Sequence, residues 1–104
     1  CKNIVRPIME NKILKELSLI IRDRKQNHSK DSYVSSLFEK GKVKIANKLG
    51  EEAFETVSAF LSEGKKEITE ESADLLFHLL ILLEESNVSL DDVLDVLKKR
   101  KENG

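Results

Sequence analysis

Cysteine occurs once in the 104 residues, as Cys1, so no disulfide can form within the chain and no cysteine-based zinc site can be assembled. Proline also occurs once, glycine four times and tryptophan not at all, which argues against a turn-rich β-sandwich and a collagenous or low-complexity chain. Long hydrophobic runs are missing too. The apolar stretch Leu79 to Leu83 is far too short to span a bilayer, and the N-terminal stretch lacks the basic start, apolar region and small-residue cleavage site of a secretory leader. These absences predict a cytoplasmic protein with no membrane partner. The length is one domain's worth, so residues 9–104 are expected to form a single domain. Residues 1–8, ahead of Met9-Glu10-Asn11, read as an N-terminal extension or processing remnant.

What is abundant is charge, 36% of the chain, and its small net value of −1 conceals a division. Residues 1–48 carry a net +7, residues 49–97 a net −11 and residues 98–104 a net +3. A dedicated nucleic-acid or membrane-surface binder would not carry so acidic a half, whereas a protein that holds an anion through a cation would use both signs. The expected partner is therefore a small anionic molecule rather than nucleic acid.

Apolar residues recur at helical spacing along nearly the whole chain. Ile13, Leu14, Leu17, Ile20 and Ile21 predict a helix over about residues 10–25, and Tyr33, Leu37 and Phe38 a short one before Gly41. Ala46, Leu49, Ala53, Val57 and Phe60 form the expected buried stripe of a helix from about Lys42 to Leu61, with Gly64 as its stop. Residues 67–84 form the most apolar helix, interrupted between Leu75 and Leu83 only by His78. Ser89 and Asp92 resemble a capping box for a last helix bearing Leu90, Val93, Leu94 and Leu97, and Lys98 to Lys101 suit its C-terminal dipole. No alternating strand pattern competes. The expectation is an all-α bundle of four main helices plus a short one, completed by a homodimer that covers a helix apolar all round.

Against that pattern the acids stand out. Glu52 and Glu55 lie three apart on one helix, and Glu71 and Asp74 three apart on the next, so each pair shares a face about one turn apart. Antiparallel packing would bring four carboxylates together, and their repulsion calls for a cation between them. Oxygen-only donors favour Mg²⁺ first and Mn²⁺ second. The competing reading is a solvated acidic face paired with lysines, but residues 67–85 contain no Lys or Arg. Lys40, Lys42, Lys44 and Lys48 cluster at a helix start, where they oppose the dipole; they form either a phosphate site or an ordinary basic helix end. Arg22, Arg24 and Lys25 either extend that site or are C-terminal helix charges, and Ser32-Tyr33 either bonds a phosphate or begins a helix. His78 is a satisfied interior histidine, or else a ligand or base.

Gly50-Glu51-Glu52-Ala53-Phe54-Glu55 followed by Glu71-Ser72-Ala73-Asp74 resembles the EExxE…ExxD signature of the all-α nucleoside triphosphate pyrophosphohydrolases of the MazG type. Arg24-Lys25, Ser32-Tyr33, Lys40-Gly41, Lys44-Ile45-Ala46, Ala73 to Leu80 and Val88 to Leu94 narrow the resemblance to the phosphoribosyl-ATP pyrophosphatases of histidine biosynthesis, over about residues 10–100. The resemblance implies Mg²⁺-dependent hydrolysis of phosphoribosyl-ATP to phosphoribosyl-AMP and diphosphate by a helical homodimer. It further implies a metal held by Glu52, Glu55, Glu71 and Asp74, and Glu51 as a second-shell or water-orienting base. Lys44 and Lys48 would neutralise phosphate charge, with Arg24, Lys25, Ser32 and Tyr33 near the phosphoribosyl end. The alternatives are a general pyrophosphohydrolase acting on ordinary or deoxy nucleotides and a non-catalytic helical dimerisation module.

Overall fold

The computed structural model describes residues 2–104, with side chains from Lys12 onward. The reading of residues 1–8 as an extension therefore falls outside the described side chains. Five helices follow one another, α1 (Lys2–Gln26), α2 (Tyr33–Lys40), α3 (Lys42–Ser62), α4 (Lys65–Glu85) and α5 (Leu90–Asn103), and no strand occurs among the described residues. The all-α expectation is borne out, including the short second helix.

The helix boundaries have local causes. The Ser32 hydroxyl accepts a hydrogen bond from the Ser35 backbone N–H at 3.1 Å and so caps α2. Gly41 closes α2 and opens α3 at a φ of +98°, a conformation that a Cβ would strain. Gly64, expected as the stop of the third helix, is instead the N-cap of α4, and its backbone N–H donates to the Glu67 carboxylate at 3.2 Å. Its φ of −114° is one that other residues also adopt, so the C-terminal glycine signal misassigned its role. Ser89 caps α5 by accepting from the Asp92 N–H at 3.0 Å.

α3 and α4 pack against each other as an antiparallel hairpin, α1 lies across α4, and α2 bridges α1 and α3. The buried centre is made of Ile21, Val34, Leu37, Ile45, Leu80 and Ile81, with at least one residue from each of the first four helices. Arg22 and Lys25 at the end of α1 pair with Glu84 and Glu85 at the end of α4, at 3.4 and 3.8 Å. These half-exposed pairs set orientation more than stability.

The buried face of α3 departs from the expected stripe. Ile45, Glu52 and Ala59, two helical turns apart, are its buried residues, whereas Ala46, Val57 and Phe60 are exposed and Phe60 is 71% accessible. Periodicity locates apolar faces but does not say which partner each face meets. Here the polar-rimmed face meets α4, and the more apolar one is left uncovered among the described residues.

Candidate metal centre

The antiparallel crossing of α3 and α4 places three of the four expected ligands together. Glu52, Glu55 and Glu71 each offer a carboxylate oxygen, all within 4.8 Å of one another. Glu52 is buried, Glu71 half-buried and Glu55 exposed, so the group is walled by the hairpin and open on the Glu55 side. Asp74 is exposed, one turn further along α4, and lies outside this trio while still adding its negative charge to the field at Glu71.

Glu71 bears the cost of the arrangement. Burial, first, then Glu55 through charge and hydrogen bonding, then Asp74 and Glu52, push its carboxyl above the ordinary carboxylate range. Its Oε1 is shut from solvent and has no hydrogen-bond partner among the described residues. An acceptor atom orphaned inside a cluster of like charges, with oxygen the only donor type present, fits a hard divalent cation. Glu52, Glu55 and Glu71 would hold it, with Asp74 the nearest further carboxylate.

The hairpin is fastened at this point by a residue that sequence reasoning missed. The Thr56 hydroxyl lies 2.7 Å from the Glu52 carbonyl oxygen and 3.1 Å from that of Glu71, so one shared O–H joins the backbones of two expected ligands. The bond to the residue four before it is a habit of helical threonine that the sequence could have suggested. The bond across to α4 has no sequence signal.

Basic and hydroxyl groups line one side of the trio. The Lys48 ammonium stands 3.7 Å from Glu51 and 3.8 Å from Glu52. Its pKa is raised, first by the Tyr33 oxygen and then by Glu51, Glu52 and Glu55, against an opposing effect of burial. Tyr33 in turn is held above the ordinary phenol range, mainly by burial, with Lys48 pulling it back and Glu52 and Glu51 adding to the rise. The Tyr33 hydroxyl and the His78 Nε2 are 2.8 Å apart, an unforeseen pairing of the first residue of α2 with the one polar interruption of the Leu75–Leu83 stretch of α4. Ideal helix geometry sets Lys44, Lys48, Glu51 and Glu55 within about 60° of one another on α3, so the basic end of the helix runs straight into the acidic group.

The remaining expected contacts lie elsewhere. Arg24 pairs with Asp23 at 2.8 Å, and Lys25 donates to the Glu84 carbonyl at 3.3 Å and sits over the Phe38 ring. Glu84 is ten residues beyond Asp74, about 15 Å along α4, so these two cations belong to the far end of the groove between helices. The Ser32 side chain is engaged in capping α2. Glu51 is exposed and faces Lys48 rather than joining the trio.

Known proteins resemble this chain in sequence over most of its length. The chain is 49% identical over 88 residues to a phosphoribosyl-ATP pyrophosphatase of Metallosphaera sedula, covering 85% of this chain and 95% of that one. It is 46% identical over 98 residues to the protein of that name from Methanosarcina acetivorans, covering 92% and 94%. It is also 47% identical over 88 residues to a histidine biosynthesis bifunctional protein of Bacillus subtilis, covering 85% of this chain and 42% of that one. The sequence profile of one family spans residues 14–101, from the middle of α1 into α5 and across every residue of the acidic group, and by that match the chain belongs to the phosphoribosyl-ATP pyrophosphohydrolase family.

Proposed function

We propose that this protein hydrolyses phosphoribosyl-ATP to phosphoribosyl-AMP and diphosphate in histidine biosynthesis, in the cytoplasm, as a Mg²⁺-dependent homodimer with Mn²⁺ as substitute. The observation that carries the reading is the orphaned Glu71 oxygen among three converging carboxylates, on the same side of α3 as Lys44 and Lys48. A divalent cation bound there supplies the charge neutralisation that lets a triphosphate approach an acidic wall.

The chain's own groups divide the remaining work. Glu52, Glu55 and Glu71, with Asp74, hold the cation. Lys48 and, one turn away, Lys44 neutralise phosphate oxygens along α3. Glu51, exposed beside Lys48, orients the attacking water and accepts its proton while the new phosphorus–oxygen bond forms and diphosphate leaves. Arg24 and Lys25, with Ser32 at the head of α2, border the phosphoribosyl end. The second copy meets the uncovered face of α3.

Glu52→Gln and Asp74→Asn are each expected to abolish diphosphate release from phosphoribosyl-ATP with unchanged helical circular dichroism. Full activity in both would remove the metal assignment. Parallel assays with dUTP and dCTP test the substrate: faster hydrolysis of these would make the protein a general nucleotide pyrophosphohydrolase.

A further inference from the structure

His78 is buried on α4 among leucines, where an apolar side chain would pack at no polar cost, yet both its ring nitrogens have partners. Nδ1 lies 2.7 Å from the carbonyl oxygen of Asp74, which can only accept, so Nδ1 carries the proton. In the neutral ring Nε2 is then an acceptor, and the Tyr33 hydroxyl 2.8 Å away must be its donor. The two rings meet edge to face, with centroids 5.7 Å apart, which further limits rotation of the phenol. With its proton committed to His78, the Tyr33 oxygen keeps only lone pairs for its other neighbours, of which Lys48 is near enough to pull the phenol pKa down.

We propose that His78 is a positioning residue of the site, orienting the Tyr33 hydroxyl so that its oxygen holds Lys48 at the rim of the acidic group, ready for a polyphosphate oxygen. The inference rests on the proposed polyphosphate chemistry and adds the residue that prepares its cation. Lys48 also stands 3.7 Å from Glu51 and 3.8 Å from Glu52, and these carboxylates would be its remaining partners without the tyrosine oxygen. Held between oxygen and carboxylates, the ammonium keeps a donor free for substrate. His78 thereby acts through Tyr33, and Tyr33 through Lys48, a chain from the α4 backbone at Asp74 to the α3 face.

The composition provides the probe, because Tyr33 is the sole tyrosine and tryptophan is absent, so intrinsic emission reports on this hydroxyl alone. His78→Phe should relieve the quenching that a phenol donating to imidazole suffers, raising emission, whereas His78→Gln, whose amide can still meet the hydroxyl, should stay near the wild type. Calorimetric titration with inorganic triphosphate and Mg²⁺ should show affinity about tenfold weaker in His78→Phe and in Tyr33→Phe, the scale of one charge-assisted hydrogen bond. The double variant should bind no more weakly than either single one, and His78→Gln should bind within about twofold of the wild type. With phosphoribosyl-ATP the loss should appear in KM, with kcat nearly constant. Additive losses in the double variant, or undiminished triphosphate affinity in Tyr33→Phe, overturn the proposal. Tyr33 is half-exposed, so Tyr33→Phe decides the matter even if His78→Phe fails to fold. Wild-type protein that binds triphosphate but leaves phosphoribosyl-ATP intact would sink the substrate reading while leaving this one standing.

Discussion

Glu71 concentrates the electrostatic conflict of the molecule in one side chain, and the direction of its pKa shift fixes a pH dependence. A carboxyl whose folded pKa lies above its ordinary value of 4.5 binds its proton more tightly in the native state than in the unfolded chain. Its stabilising share is therefore full below the ordinary value and is lost as pH rises through the raised one. A metal ion competes with that proton. The melting temperature gained on adding Mg²⁺ should therefore be larger near pH 8 than near pH 5, as thermal melts at the two pH values would show; a gain independent of pH would contradict the account. Thr56 belongs to the same scale. Thr56→Val keeps the shape but removes the proton shared between the Glu52 and Glu71 carbonyls, and should cost about 1 kcal/mol of stability and weaken Mg²⁺ binding about tenfold. Thr56→Ser should restore both, measured by urea denaturation and calorimetry. The acids were legible in the sequence because their charge contradicts an apolar helix. Thr56 was not, because its second partner comes from a helix fifteen residues away and no local pattern encodes a contact across a crossing.

At the scale of elements, the sequence disclosed helices better than neighbours. The short α2 followed from Tyr33, Leu37 and Phe38, and Ser89 before α5 from its capping pattern, because both signals are local. The buried face of α3 departs from the expected stripe because Ala46, Leu49, Ala53, Val57 and Phe60 form the more apolar row, while the face packed on α4 carries Glu52 between Ile45 and Ala59. A helix that carries an acidic cluster at its packed face puts carboxylates where a purely structural helix would put leucines, so an apolar count points to the wrong side. α2 matters more than its eight residues suggest, since it begins at Tyr33 and so sets where that hydroxyl stands. Its start is fastened twice: Ser32 caps it, and the buried Ser35 hydroxyl donates to the Arg24 carbonyl at 2.8 Å while accepting from the Ser29 N–H at 3.2 Å. Ser32→Ala should cost about 1 kcal/mol in chemical denaturation. It should also alter the Tyr33 emission even where the fold is retained, because the cap and the site share one turn of helix.

The whole molecule is finished on its acidic side and unfinished on another. Ideal helix angles gather Val43, Ala46, Gly50, Ala53, Phe54, Val57, Phe60 and Leu61 onto one α3 face about 120° wide. Of these, Val43, Phe54, Phe60 and Leu61 are all more than 70% exposed. A continuous exposed apolar face of this kind marks an interaction surface. Gly50 on that face has open space around its Cβ position, so a second helix can approach closely there. The uncovered face lies beside the carboxylate group on the same helix, so burying it would stiffen the very element that supplies Glu52 and Glu55. The proposed second copy would bring an identical face, and two-fold pairing would match apolar surface to itself. Phe54→Glu would place a charge at the centre of that seam and should shift sedimentation from dimer to monomer. The wild type should melt at a temperature that rises with protein concentration and the variant at one that does not, since only association couples stability to concentration. Should the wild type sediment as a monomer at every concentration, the uncovered face would need another occupant, and the proposed Mg²⁺ site would have to reach its working geometry within one chain. Loss of diphosphate release in a folded, monomeric Phe54→Glu would instead tie the chemistry to the dimer, because Phe54 points away from the acidic group and touches it only through α3.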